Sequence, residues 1–380
     1  MTRTTAAVRP TSLAAQRGKL ALTLAVSLGL AACGGSSDDT VVVVNPPANP
    51  GNPGNPGNPG TPTAPTAPTV VASGLRAPWS IAFYKGTPLV SERDTDRIVA
   101  VGSNGAVSEV AVIAGVNGSG EGGLLGIAVR DDYLYVYFTA GSQNRIVRYP
   151  LSGDGAGIRL GAVQSVLNGI PAASTHNGGR IAFGPDGMLY ATAGDAANTA
   201  RAQDMASLGG KILRMTPEGA VPRDNPFPGS YVYSLGHRNP QGIAWAADGA
   251  MYASEFGQNT WDELNRITAG ANYGWPVVEG IATDSRYTNP LQQWSTSTAS
   301  PSGMAIRGSS IYIANLRGER LRQIALATPS TSVDRYTGEY GRLRDVVVTP
   351  EGLLWMMTNN TDSRGEPRPG DDRIVSIPLQ

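Results

Sequence analysis

The stretch HNGGRIAFGPDGMLYATAGD (176–195) begins and ends on side chains that can move a proton. His176 is one of only two histidines in the chain, and Asp195 closes the stretch. A carboxylate bonded to one ring nitrogen fixes the tautomer and leaves the other nitrogen free to accept a proton, which is general-base chemistry. Taken alone, a histidine beside glycines reads equally well as a turn residue satisfied by backbone. Asp195 tips the reading toward catalysis, provided the chain between them folds back on itself. A second set of residues points to an anion. Arg238, Arg317, Arg342 and Arg344 carry guanidinium forks, which match carboxylates and phosphates. In GRLRD (341–345), Arg342 and Arg344 share one face if the segment is extended. Surface ion pairing accounts for most arginines, but their joint placement favours a planar ligand with more than one carboxylate.

That placement depends on the elements around them. One phrase recurs six times, as IAFYKGTPLV (from 81), IAVRDDYLY (127), IAFGPDGMLY (181), IAWAADGAMY (243), MAIRGSSIY (304) and VVVTPEGLLW (346). Each reads as a β-hairpin, because PDG, ADG and PEG are turn chemistry between apolar strands. A further strand follows every copy: DRIVAV, NRIVRY, GKILRM, DELNRI, ERLRQI and DRIVSI. Copies lie 42 to 62 residues apart, the spacing of propeller blades. The expected fold is therefore all-β, a six-bladed β-propeller with its active site at one end of the central channel. A sandwich also uses many short strands but does not repeat its hairpin in this way. A hairpin returns to the end from which it started. His176 and Arg238 lie five residues before their phrases, Arg342 four, and Glu121 and Thr298 six. Asp195, Gly257 and Arg317 each lie five residues past the closing aromatic. All of these are predicted to converge on one rim, around one pocket.

The N-terminal segment belongs to targeting. Arg3, Arg9, Arg17 and Lys19 precede an apolar run too short to span a membrane, and Leu30-Ala31-Ala32-Cys33 resembles a bacterial lipobox. Residues 1–32 read as a lipoprotein signal peptide and Cys33, the single cysteine, as the lipidated residue. Residues 33–70 then form a tether rich in Pro, Gly and Asn, and 71–380 the propeller domain. Without the signal peptide the chain has 26 basic and 30 acidic residues, a net charge of −4, and no basic stripe to neutralise phosphates. Nucleic acid is not an expected partner. The expected location is the periplasmic face of the envelope, on a lipid anchor in the outer membrane.

HNGG (176–179), GHRNPQG (236–242), EFGQNTWDELNRI (255–267), NYGWP (272–276) and GRLRD together resemble the glucose/sorbosone dehydrogenase family. These are soluble sugar dehydrogenases dependent on pyrroloquinoline quinone (PQQ), and the shorter aldose sugar dehydrogenase type is the nearer likeness. The resemblance implies oxidation of aldose sugars to lactones, with hydride passing to PQQ and electrons to an external acceptor. It also implies the residue roles. His176 takes the proton of the C1 hydroxyl and Asp195 orients it. Arg238 and Asn239 contact the quinone near its reactive carbonyl, while Arg342, Arg344 and Thr298 hold the rest of it. Arg317 stands where relatives place lysine, and Glu121 where they often carry glutamine. One calcium ion is implied on the carbonyls of Gly257 and Gln258, and another on the Glu263 side chain and the Tyr273 carbonyl. Two other classes compete with this reading. A propeller lactonase needs side-chain carboxylates converging on a metal at the channel floor, and a non-catalytic binding propeller would suit a tethered lipoprotein.

Overall fold

The structure, a computed structural model, describes residues 65–378. The signal peptide, the lipidation point at Cys33 and the tether as far as residue 64 lie outside the described residues. Six antiparallel sheets follow one another along the chain, forming the six blades of a propeller. The recurring phrase supplies the first two strands of every blade. In the third blade Ile181–Phe183 pairs with Leu189–Ala193, and Lys211–Met215 and Val232–Leu235 complete the sheet. The turn between the first two needs Gly187 in the left-handed region (φ 77), and the Asp186 carboxylate accepts the N–H of Met188 at 3.0 Å. Successive blades pack face to face, so middle strands such as Leu189–Ala193 and Met251–Glu255 are buried along their whole length.

The chain closes its own ring. The fourth strand of the last blade is Thr69–Ala72, across the boundary drawn at residue 70, and it runs antiparallel to Ile374–Ile377 with Thr69 opposite Ser376. The first strands of the blades line the channel. There Arg180 of the third blade donates to the Asp345 carboxylate of the sixth (3.0 Å), the Ser80 hydroxyl of the first (3.0 Å) and the Gln241 carbonyl of the fourth (2.9 Å). This buried network closes the channel and forms the floor beneath the rim.

Candidate active site

The hairpin of the third blade does what the spacing requires. With Ile181 opposite Ala191, its two ends return to the same rim, and His176 Nδ1 lies 2.8 Å from Asp195 Oδ1. The backbone there admits little variation. His176 has φ 58, and a Cβ on Gly194 would lie 2.0 Å from the His176 carbonyl oxygen. Glu121 fixes the main chain by accepting the His176 N–H at 3.0 Å. Asp195 is fully buried and accepts from the Trp275 indole at Oδ2 (2.9 Å) and from the Ala197 N–H at Oδ1 (2.9 Å). The carboxylate acting on Nδ1 puts the proton there and the lone pair on Nε2. The sequence leaves that second nitrogen free, but in the structure Arg238 Nη2 lies 2.9 Å from it. The Arg238 backbone N–H is held by Glu255, its Nη1 donates to the Phe256 carbonyl (3.3 Å), and burial lowers its proton affinity.

The loop after Asp195 is tied down from below. Arg201 Nη1 donates to the carbonyls of Asp195 (3.2 Å) and Ala196 (3.0 Å). Fully buried Lys211 donates to those of Arg201 (2.6 Å), Ala202 (3.1 Å) and Gly209 (2.8 Å), and burial pushes its pKa down to about 8. Lys211→Met removes all three bonds; the Ala202 and Arg201 carbonyls keep the Gly236 (3.0 Å) and Asp204 (3.2 Å) N–H groups, and the Gly209 carbonyl keeps no other donor among the described residues. At about 1 kcal/mol for each lost hydrogen bond, the variant is expected to be roughly 3 kcal/mol less stable in denaturant unfolding.

Beside this pair lies a cavity of about 310 Å³ lined by Arg93, Arg317, Arg342, Arg344 and Arg364, with Trp79, Gln241 and Glu121. Three carboxylates answer the arginines. Asp362 accepts from Arg342 Nη2 (3.1 Å) and lies 3.7 Å from Arg344 Nη2, Glu121 accepts from Arg364 (2.9 Å), and Asp94 accepts from Arg93 Nε (2.6 Å). Arg317 is exposed at the cavity edge, and no ion pair to it is present among the described residues. Arg344 is only 4% exposed, bonded to Gln241 (2.9 Å) and Asn359 (3.1 Å). Burial, only partly offset by Asp362, pushes its pKa down to about 9, as expected of a cation short of counter-charge. Arg342 Nε, Arg238 Nε and Asn239 Nδ2, buried at or beside the cavity, have no partner among the described residues. Asn239 is fully buried and accepts the Gly178 N–H through Oδ1 at 2.9 Å. Thr298 is not on this lining. It is exposed, with its hydroxyl turned to the Ser295 carbonyl at 3.0 Å, and Ser300 reaches the cavity instead.

Gly257, Glu263 and Tyr273 border a neighbouring void of about 10 Å³, together with Glu255 and Glu279. The N–H of Gly257 donates to Asp262 (2.8 Å), and those of Gln258 (2.7 Å), Asn259, Thr260 and Trp261 (3.3 Å each) converge on Glu279 Oε1. The carbonyls of Gly257, Gln258 and Tyr273 accept no hydrogen bond among the described residues. Glu263 takes the Gly280 N–H (2.8 Å) and the Asn265 amide (3.0 Å), yet burial, with Glu255 adding repulsion, pushes its pKa up to about 8. Among the described residues no three His, Cys, Asp or Glu side chains form a ready metal cluster. The donor set here is instead hard carbonyl oxygen plus one underpaired carboxylate, of the kind calcium prefers.

Several participants carried no signal that counting could use. Trp275 and Asp362 lie on loops outside the repeated phrase. Arg93 was hidden because the first copy closes on Leu-Val with no aromatic. Strand register recovers it: Ala82 faces Leu89 as Ala182 faces Tyr190, so the fifth residue past Leu89 is Asp94 and Arg93 sits beside it. The second histidine, His237, is structural. It is fully buried between Glu255 (2.8 Å) and Ser234 (2.8 Å) and stacks on Tyr273.

Residues 75–365 match the glucose/sorbosone dehydrogenase family. Quinoprotein glucose dehydrogenase B of Acinetobacter calcoaceticus is 33% identical over 261 residues, covering 57% of this chain and 54% of that protein, about half its length. An aldose sugar dehydrogenase of Escherichia coli is 28% identical over 346 residues, 78% of this chain and 90% of that one. The solved PQQ-bound aldose sugar dehydrogenase of Streptomyces coelicolor is 48% identical with a TM-score of 0.78, covering 84% of this chain and all of that one.

Proposed function

Because the chain belongs to the glucose/sorbosone dehydrogenase family, we propose that it is a quinoprotein that oxidises aldose sugars to lactones. The observation that carries this reading is the joining of a His–Asp pair to a cavity lined by five arginines with unpartnered buried donors. That donor set fits PQQ, a planar quinone bearing three carboxylates. Arg342 and Arg344 would hold the carboxylates with Arg93 and Arg317 beside them, and Asn239 would offer its free amide. Bound there, PQQ supplies a two-electron acceptor for the hydride from C1 of the sugar. Calcium on the carbonyls of Gly257 and Gln258 would supply a Lewis acid beside it, and a second ion would rest on Glu263 and the Tyr273 carbonyl.

The protein's own part is acid–base. His176 Nε2 takes the proton of the C1 hydroxyl, and Asp195, with its charge already fixed by the Trp275 indole and the Ala197 N–H, stabilises the imidazolium that forms. Arg238 covers Nε2 in the resting site and must yield it to the hydroxyl, a short displacement that keeps its charge beside the reacting centre. Thr298 enters this scheme only if its loop turns toward the cavity. The lactonase alternative finds no support at the channel floor, where Asp345 is engaged by Arg180. For location we propose a lipid anchor at Cys33 on the periplasmic face of the outer membrane, supported by the lipobox-like residues 30–33 and the proline-rich stretch after them.

Adding PQQ and calcium to the purified protein and screening aldoses with a dye acceptor tests the reading. Turnover that requires the quinone is expected, and failure to bind PQQ at all overturns it. Calcium is tested separately. Chelation is expected to lower the melting temperature, because an ion bound only by the folded state stabilises it. Glu263→Gln is expected to lose most of that calcium-dependent shift, and an identical chelator response in both proteins removes the Glu263 site.

A further inference from the structure

Trp275 touches both side chains that bond the His176 ring. It is 9% exposed, and its Nε1–H donates to Asp195 Oδ2 at 2.9 Å while its ring lies 5.6 Å from the Arg238 guanidinium carbon. Asp195 acts on His176 Nδ1 and Arg238 on Nε2, so one indole braces the partners at the two ends of the imidazole. The indole is itself fixed by its backbone: its N–H donates to the Gly236 carbonyl (3.0 Å) and its carbonyl accepts the Gln203 amide (2.7 Å). The other charged group facing His176 is Glu121, which binds the main-chain N–H and passes its second oxygen to Arg364.

We propose that Trp275 is a positioning residue that sets the basicity of His176. The proposal rests on the reading of His176 as the base. Trp275 acts through two separable interactions. The indole N–H withdraws part of the Asp195 charge, so less of it is available to stabilise imidazolium. The ring face stabilises the buried guanidinium by cation–π attraction and holds it toward Nε2. Removing the N–H raises the His176 pKa; removing the outer ring frees Arg238.

Two variants divide these effects. Trp275→Phe keeps an aromatic face and loses the donor. Trp275→His keeps a donor, because histidine Nε2 occupies the same place on its five-membered ring as indole Nε1, and loses the outer ring. The readout needs neither quinone nor turnover: an NMR titration of the full chain, in which two histidines must be told apart, three in Trp275→His, and His176→Ala, alone or combined with Trp275→His, assigns the His176 resonance. The His176 midpoint is expected to rise by about 0.5–1 unit in Trp275→Phe and to return toward wild type in Trp275→His. A midpoint unmoved in folded Trp275→Phe overturns the proposal. Wild-type protein gives a second test that does not depend on either variant folding. The Trp275 indole N–H resonance should follow the His176 titration, because both bond one carboxylate, and an indole resonance flat across that titration also overturns it. A shifted midpoint in a protein that binds no PQQ would uphold the brace and remove the proposed reaction, so the two failures are distinct.

Discussion

His176→Ala is expected to bind PQQ normally and to lose about 10²–10⁴-fold in turnover per bound quinone, the usual cost of removing a general base. The expectation follows from position. His176 reaches the site through a ring held by Asp195, and its side chain is not part of any apolar core. Asp195→Asn is expected to be impaired as well, for a reason visible in the hydrogen bonds. Two carboxylate oxygens serve three donors: Nδ1–H and the Ala197 N–H at one, the Trp275 indole at the other. An amide has a single oxygen, so one face must present NH₂ to an N–H, and either the ring or the indole loses its acceptor. Turnover measured per bound quinone checks the assignment, and near wild-type turnover in His176→Ala ends it.

The second large effect is on quinone affinity. Arg342→Ala/Arg344→Ala is expected to weaken PQQ reconstitution by about 10²–10⁴-fold, taking roughly 1.5–3 kcal/mol for each charge-assisted hydrogen bond lost. Reading the sequence alone places both arginines on an exposed rim, so that their removal should spare the fold. The structure corrects this for Arg344, whose burial and bonds to Gln241 and Asn359 make it part of the packed channel wall. Removing it strands the Asn359 amide oxygen, while Gln241 keeps the Ser302 hydroxyl (3.1 Å), and removing both arginines leaves Asp362 buried without its cations. Arg342→Ala by itself is therefore the cleaner measurement. It removes one cation from the cavity while Arg344 continues to answer Asp362. PQQ titration by fluorescence quenching, beside a thermal melt of each variant, separates lost affinity from lost fold. Unchanged affinity in a folded double variant removes the clamp.

Local chemistry made the blades legible. A hairpin needs only a turn and two apolar strands, so the six phrases are readable one by one, and their period alone implies the closed ring. The same locality put His176 and Asp195 together, since both belong to one hairpin and a hairpin returns to its starting end. What lies between blades was not determined in this way. Thr69–Ala72 closes the ring against a strand some 300 residues away, and no local pattern marks four residues at the end of a proline-rich segment as its partner. The Arg238 guanidinium on Nε2, the Trp275 indole on Asp195, and Asp362 among the arginines come from separate blades or from the loops joining them. Their meeting depends on how far each blade is rotated about the channel and how its loops fold back over the rim. Those quantities are set by packing between whole sheets. The sequence therefore brought the hairpin ends that carry His176, Asp195, Arg238 and Arg342 to one rim, and only the tertiary structure decided which of them touch, which loop residues join them, and that Thr298 stays off the cavity lining.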